Sequence, residues 1–340
     1  MKTRPPNILL ITSDQQHWSL LGCRNPEVQT PNLDRLASQG TMFTRAYCPN
    51  PTCTPTRASI ITGKYPSQHG AWALGTKLSE SEHTVGEDFL KADYRTALVG
   101  KAHFQQARPS DAYPSIESMP RQQDLDYWRK FHGPFYGFES VELARNHGDE
   151  FWVGQHYALW MEEKGCKNWR DHFQKPTGNR GPQRHRWSIP EEFHYNTWIA
   201  ERANALMSDY AKRGESFFLW ASFFDPHPPY LVPAPWHAIY DPSRITVPQV
   251  TPGEHDNNPP HFRMTQEARP DFSSWQEPDG NAMHGFHSHL RSRDELAKDI
   301  AVYYGMMSCL DKYVGAILAR KLLFAEMAKE PLWMPRVSNA

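Results

Sequence analysis

Asn7-Ile8-Leu9-Leu10-Ile11-Thr12-Ser13-Asp14 is the stretch on which the fold turns. It is a short, continuous apolar run rich in branched residues, the pattern of a strand buried on both faces of a parallel sheet. The run stops at Asp14. Ligand groups in open α/β sheets gather at the carboxyl ends of strands, so Asp14 is a candidate site residue from its position alone.

Two more strands of this kind lie further along the chain. Thr96-Ala97-Leu98-Val99-Gly100 delivers Lys101 and His103, and the aromatic run at 216–224 leads into Asp225-Pro226-His227. Lys101 and His103 are two apart on an extended segment and so point to one side. Between the strands, residues 30–37 read as a helix start with Pro31 in the first turn and Gly40 closing it. Residues 42–47 read as a strand. A turn-rich loop over 49–54 enters a helix predicted at 55–62 and ended by Gly63; further helices are expected at 84–90, 191–212 and 295–318, the last with Ile300, Tyr303, Met307, Leu310 and Val314 at core spacing. From Gln105 to about Pro190 periodicity is weak, and this stretch reads as an aromatic-rich insertion. The division expected is a catalytic domain over 1–318 and a C-terminal helix and tail over 319–340.

Composition narrows the function classes. Of 340 residues, 39% are hydrophobic and 22% charged, a globular balance, and a net charge of −1 gives no general attraction to nucleic acid or an anionic membrane. Any anion binding must be local. The five cysteines are odd in number and spread without paired metal-ligand spacing, which argues against a disulfide scaffold. The apolar run after Met1-Lys2-Thr3-Arg4 is too short for a signal-peptide core, and 217–224 is too short to span a bilayer. A soluble, cytoplasmic protein with no membrane partner is the expectation.

The sharpest chemical feature is Pro51-Thr52-Cys53-Thr54-Pro55-Thr56-Arg57-Ala58-Ser59. Cys53 stands before a Pro-initiated helix, whose free N–H groups and positive dipole suit an anion, and Arg57 lies one turn on. An arbitrary Cys is more often a buried loop residue followed by a surface Arg; the Cys-x-Pro-x-Arg spacing ahead of a helix reverses that preference. Three residues separate Cys53 from Arg57, too few for a tyrosine phosphatase loop.

Cys53-Thr54-Pro55-Thr56-Arg57, followed by Gly63-Lys64-Tyr65-Pro66 and His69-Gly70, resembles the signature of the type I sulfatases, near their arylsulfatase and phosphonate monoester hydrolase branch. The resemblance extends to residues 7–14, 30–37, Gly100-Lys101-Ala102-His103 and Phe223-Phe224-Asp225-Pro226-His227. It implies an alkaline-phosphatase-like α/β fold, a large mixed sheet with helices on both faces, and hydrolysis of aryl or alkyl sulfate monoesters. It further implies that a maturation enzyme converts Cys53 to formylglycine. A divalent ion, calcium first and magnesium or manganese as alternatives, would be held by Asp14, Gln15 and residue 53. Lys101 and His227 would bind sulfate or protonate the leaving oxygen, His103 would orient the formylglycine, His227 would complete a positive ring, and Arg57 would belong to the oxyanion cradle at the helix start. A homo-oligomer is compatible with this. Lys64 and His69 are weaker candidates, since a Lys at a helix end serves the dipole without catalysis.

Many members of that family carry two adjacent Asp residues where this chain has Asp14-Gln15, and the change favours the phosphonate branch as an alternative. The family's second metal motif, Asp-His-Gly or Asp-Asn-Gly, is expected beyond Leu310-Asp311-Lys312-Tyr313-Val314-Gly315 and is not found there. An internal loss near Ala319, with a shortened and catalytically impaired homologue as the consequence, is therefore a further expectation.

Overall fold

The computed structural model describes residues 4–106, 114–145, 152–173, 184–249, 251–276, 283 and 285–327. Among them six strands form: β1 (Ile8–Thr12), β2 (Arg95–Gly100), β3 (Ser140–Leu143), β4 (Arg184–Arg186), β5 (Phe217–Ser222) and β6 (Tyr230–Val232). The helices are α1 (Pro31–Gln39), α2 (Cys53–Thr62), α3 (Pro66–His69), α4 (Val85–Lys91), α5 (Leu125–Trp128), α6 (Gln155–Glu163), α7 (Tyr195–Arg213), α8 (Pro260–Met264) and α9 (Arg293–Met327).

The main sheet has the order β1-β5-β2-β3 with every pairing parallel, and β4 pairs with β6 in a separate ribbon. Alternation along the strands sends successive side chains to opposite faces. Ala97, Val99, Phe217, Leu219 and Ala221 pack against Trp198, Ile199 and Ala203 of α7 and Met307, Leu310 and Val314 of α9. Leu98, Phe218 and Trp220 face the other way, onto Ala58 and Ile61 of α2, Phe89 of α4 and Trp128 of α5. Helices thus cover both faces of an α/β sheet, as expected. Each buried large side chain contributes about 1.5–3 kcal/mol by leaving water.

Several local expectations are corrected. β1 is not buried on both faces: it is the edge of the described sheet and all five of its residues are half-buried. An apolar run reports strand propensity, whereas its place in the sheet depends on which neighbours pair with it. Residues 42–47 form no strand; they are exposed and no described strand pairs with them. α2 begins at Cys53, two residues before Pro55, so Cys53 is the first residue of the helix. Its end is as read: Gly63 adopts φ 67° and its N–H returns to the Ser59 carbonyl.

The weakly periodic stretch after Gln105 contributes to the main sheet, since β3 lies within it and pairs with β2. α6, also within it, is buried from Gln155 to Met161. A helix buried all round loses the polar face that makes a periodicity readable. α9 runs from Arg293 to Met327, through Ala319. The tail at 328–340 lies outside the described residues.

Candidate active site

Parallel register assembles the site. Thr12 pairs with Ser222, and Ser222 with Gly100, so β1, β5 and β2 end level with one another. The residues just beyond the three strands emerge at one edge: Asp14 after β1, Lys101 after β2, Asp225 and His227 after β5. The Lys101 N–H donates to the Ser222 carbonyl at 3.0 Å and the Asp14 N–H to the Asp225 carbonyl at 3.1 Å. Gly100 permits this approach. Its φ is 107°, and a Cβ there would lie 2.0 Å from the Ser222 oxygen, so no other residue fits the last position of β2.

α2 brings Cys53 and Arg57 to the same edge, four apart and therefore on one helical face. The Arg57 guanidinium is buried. Its Nη1 donates to the Lys101 carbonyl at 2.7 Å and to Ser222 Oγ at 2.8 Å, and its Nη2 meets Asp14 Oδ2 at 3.4 Å. Lys101 has no exposed surface, and its Nζ lies 2.5 Å from Asp14 Oδ2 and 3.7 Å from Cys53 Sγ. Cys53 Sγ is 3.9 Å from Asp14 Oδ1. The ligand atoms of Asp14, Cys53 and His227 all lie within 4.8 Å of one another.

Electrostatics reflect this packing. Burial alone would raise the Asp14 pKa, but Lys101, Arg57 and His227 outweigh it and hold the carboxylate well below its ordinary value. Burial pushes the Cys53 thiol up despite Lys101 beside it, so an unmodified Cys53 remains a protonated thiol and a poor nucleophile.

As a cation site the donor set fits. Asp14 offers a hard carboxylate whose Oδ2 is engaged by Lys101 and Arg57 while Oδ1 faces residue 53. Gln15 comes next on a left-handed backbone, φ 56°, exposed, with its carbonyl accepting from Tyr303 Oη at 2.6 Å.

Of the residues singled out from sequence, Asp14, Cys53, Arg57, Lys101 and His227 converge. His103 is buried at φ 56° and directed at Arg145 Nη2 through its Nε2. Lys64 forms a surface ion pair with Glu82, and His69 Nε2 meets Ser59 Oγ at 3.0 Å. Three participants were not found from sequence. Ser222 anchors Arg57, and no local pattern marks one Ser at a strand end. Glu117 and Arg145 hold the segment around His103 from within the weakly periodic stretch, where no local pattern singles them out among many charged residues.

The family profile for Sulfatase matches residues 6–321. A sulfatase of Escherichia coli strain K12 called YidJ is 27% identical over 78% of this chain and 47% of its own length. An arylsulfatase of Clostridium perfringens is 26% identical over 92% of this chain and 58% of its own. The phosphonate monoester hydrolase of Agrobacterium radiobacter superposes with a TM-score of 0.64 at 22% identity, covering 95% of this chain and 60% of that one, a likeness of fold. This chain thus spans about half the length of the relatives it matches.

Proposed function

The chain belongs to the sulfatase family of hydrolases, within the alkaline phosphatase superfamily, and from that premise we propose that it cleaves aryl or alkyl sulfate monoesters through a formylglycine made from Cys53. The observation that carries this reading is the convergence of Lys101 and Arg57 on Asp14 and Cys53 at the start of α2. A sulfate monoester is a weakly basic monoanion, and its hydrolysis moves charge onto the ester oxygen; fixed cations in a buried site stabilise that movement. Matured to formylglycine by a separate enzyme, residue 53 would supply one hydroxyl of a hydrated aldehyde for attack on sulfur and a second for ejecting sulfate.

Arg57, fastened by the Lys101 carbonyl and Ser222, holds a sulfate oxygen at the helix N-terminus without needing to reorganise. Lys101 stands between Asp14 and residue 53, placed to neutralise charge on the transferred group or to give a proton to the leaving oxygen. His227 enters from β5 on the same side and shares that proton-donor role, while His103 orients residue 53. Members of this family generally use a divalent metal; here Asp14, Gln15 and residue 53 would hold it, calcium being the ion expected, and it would polarise the sulfate. No described helix is long and apolar enough to cross a membrane. A cytoplasmic location and self-association belong to this proposal as well.

A second reading rests on Asp14-Gln15, which removes one negative charge from the metal site and suits a phosphonate monoester or phosphodiester substrate. A third is a catalytically impaired homologue, favoured because Asp14 is the sole carboxylate in the described cluster. Peptide mass spectrometry across residue 53, on protein from its native host, tests the reading first. A loss of about 18 Da, expected for conversion of thiol to aldehyde, supports the formylglycine enzyme; an unmodified thiol favours the impaired homologue. Turnover of nitrophenyl sulfate against a phosphonate monoester then separates the two hydrolases, and faster phosphonate cleavage overturns the sulfate assignment.

A further inference from the structure

His103 occupies a left-handed conformation that non-glycine residues seldom adopt, and two side chains distant in sequence hold it there. The Glu117 carboxylate gathers three successive backbone N–H groups: His103 at 2.6 Å, Phe104 at 2.8 Å and Gln105 at 2.9 Å. Arg145, 2% exposed, braces the same turn, its Nη1 donating to the carbonyls of Gln105 at 3.2 Å and Glu117 at 3.5 Å. Its Nη2 meets His103 Nε2. A guanidinium has donors only and stays protonated in proteins, so the ring nitrogen it meets must be the acceptor. A neutral imidazole carries one N–H, and with Nε2 accepting, that proton resides on Nδ1.

We propose that Arg145 is a positioning residue that fixes the His103 ring as its Nδ1–H tautomer, while Glu117 fixes the backbone beneath it. Two residues from Lys101, His103 then offers one donor from one nitrogen in every molecule. Without Arg145 the ring would be free to carry its proton on either nitrogen. The effect on turnover rests on the hydrolase reading above; the tautomer itself does not.

The test is a long-range ¹H–¹⁵N correlation spectrum of the whole protein carrying ¹⁵N-histidine, with His103 assigned by the signals lost in His103→Gln. The wild-type ring is expected in the Nδ1–H pattern. Arg145→Met is expected to lose that pattern and to lower kcat on nitrophenyl sulfate by about 10- to 100-fold, the usual effect of removing a residue that orients a site group, with KM nearly unchanged. Arg145→Lys, which keeps a cationic donor, is expected to retain the pattern. An Nε2–H or doubly protonated ring in the wild type overturns the proposal, as does an unchanged pattern in Arg145→Met. Should Arg145→Met fail to fold, the wild-type spectrum decides alone. An Nδ1–H ring in a protein without turnover upholds the assignment of Arg145 and removes the hydrolase reading instead.

Discussion

Two clusters in this molecule contain the same three residue types and behave as opposites. Asp14, Cys53 and His227 form one; Asp225, Cys309 and His194 form the other. They adjoin, since the Asp14 N–H donates to the Asp225 carbonyl. In the first, Lys101 and Arg57 press on the carboxylate and hold its pKa down, while Cys53 and His227 are only half-buried. In the second all three are buried, and among the described residues the Asp225 carboxylate accepts from neutral donors, Tyr195 Oη and Asn196 Nδ2, the latter at 2.7 Å. Burial drives Asp225 up to about 7, His194 down to about 3, and the Cys309 thiol well above its ordinary value. Residue types that bind metals or catalyse do not make a site by themselves. Fixed countercharge and access distinguish the first cluster, the candidate site, from a polar knot where α7, β5 and α9 meet.

The contrast between the clusters is most vulnerable at Lys101. Lys101→Met keeps the volume and removes the ammonium between Asp14 and residue 53. The expected result is a fall in kcat/KM of about 10²- to 10³-fold, the scale for losing one fixed charge-stabilising group, measured on nitrophenyl sulfate with the fold checked by circular dichroism. Undiminished turnover would show that the cations are not what sets the first cluster apart.

Asp225 provides the next test, through pH. Its folded pKa of about 7 exceeds the ordinary 3.8, so the folded protein binds the extra proton between those values. The associated stability is fully present below 3.8 and is lost as pH rises toward 7, at up to about 1.4 kcal/mol per unit. Asp225→Asn cannot titrate, and chemical denaturation from pH 4 to 8 should show wild type declining relative to the variant. Parallel curves would mean that Asp225 is charged, like Asp14. Smallest is the effect of Cys309→Ala: a stability loss of about 1 kcal/mol from a small vacancy in the core, with turnover unchanged. A loss of turnover matching that of Lys101→Met would place the second cluster in the chemistry.

Much of the first cluster was legible in sequence because each member ends a strand or opens a helix. Asp14, Lys101 and His227 come after apolar runs, and Cys53 and Arg57 share one turn. The second cluster was not legible as a cluster: Asp225 was read as part of the element that carries His227, His194 immediately precedes α7, and Cys309 lies in α9, a helix that read as core. Arg145 was missed for a related reason. It is 42 residues from His103, and no local spacing links them.

The sequence alone determined the α/β class, the strands whose ends carry the candidate site residues and the Cys53–Arg57 pair, because hydrophobic periodicity and helix geometry act within a few residues. Tertiary structure alone decided that β1 is an edge of the described sheet, that residues 42–47 pair with no described strand, that β3 joins the sheet from a stretch without periodicity, and which carboxylate meets cations. Those outcomes depend on register and burial among segments far apart in the chain, and a buried charge takes its energy from neighbours that only the completed fold supplies.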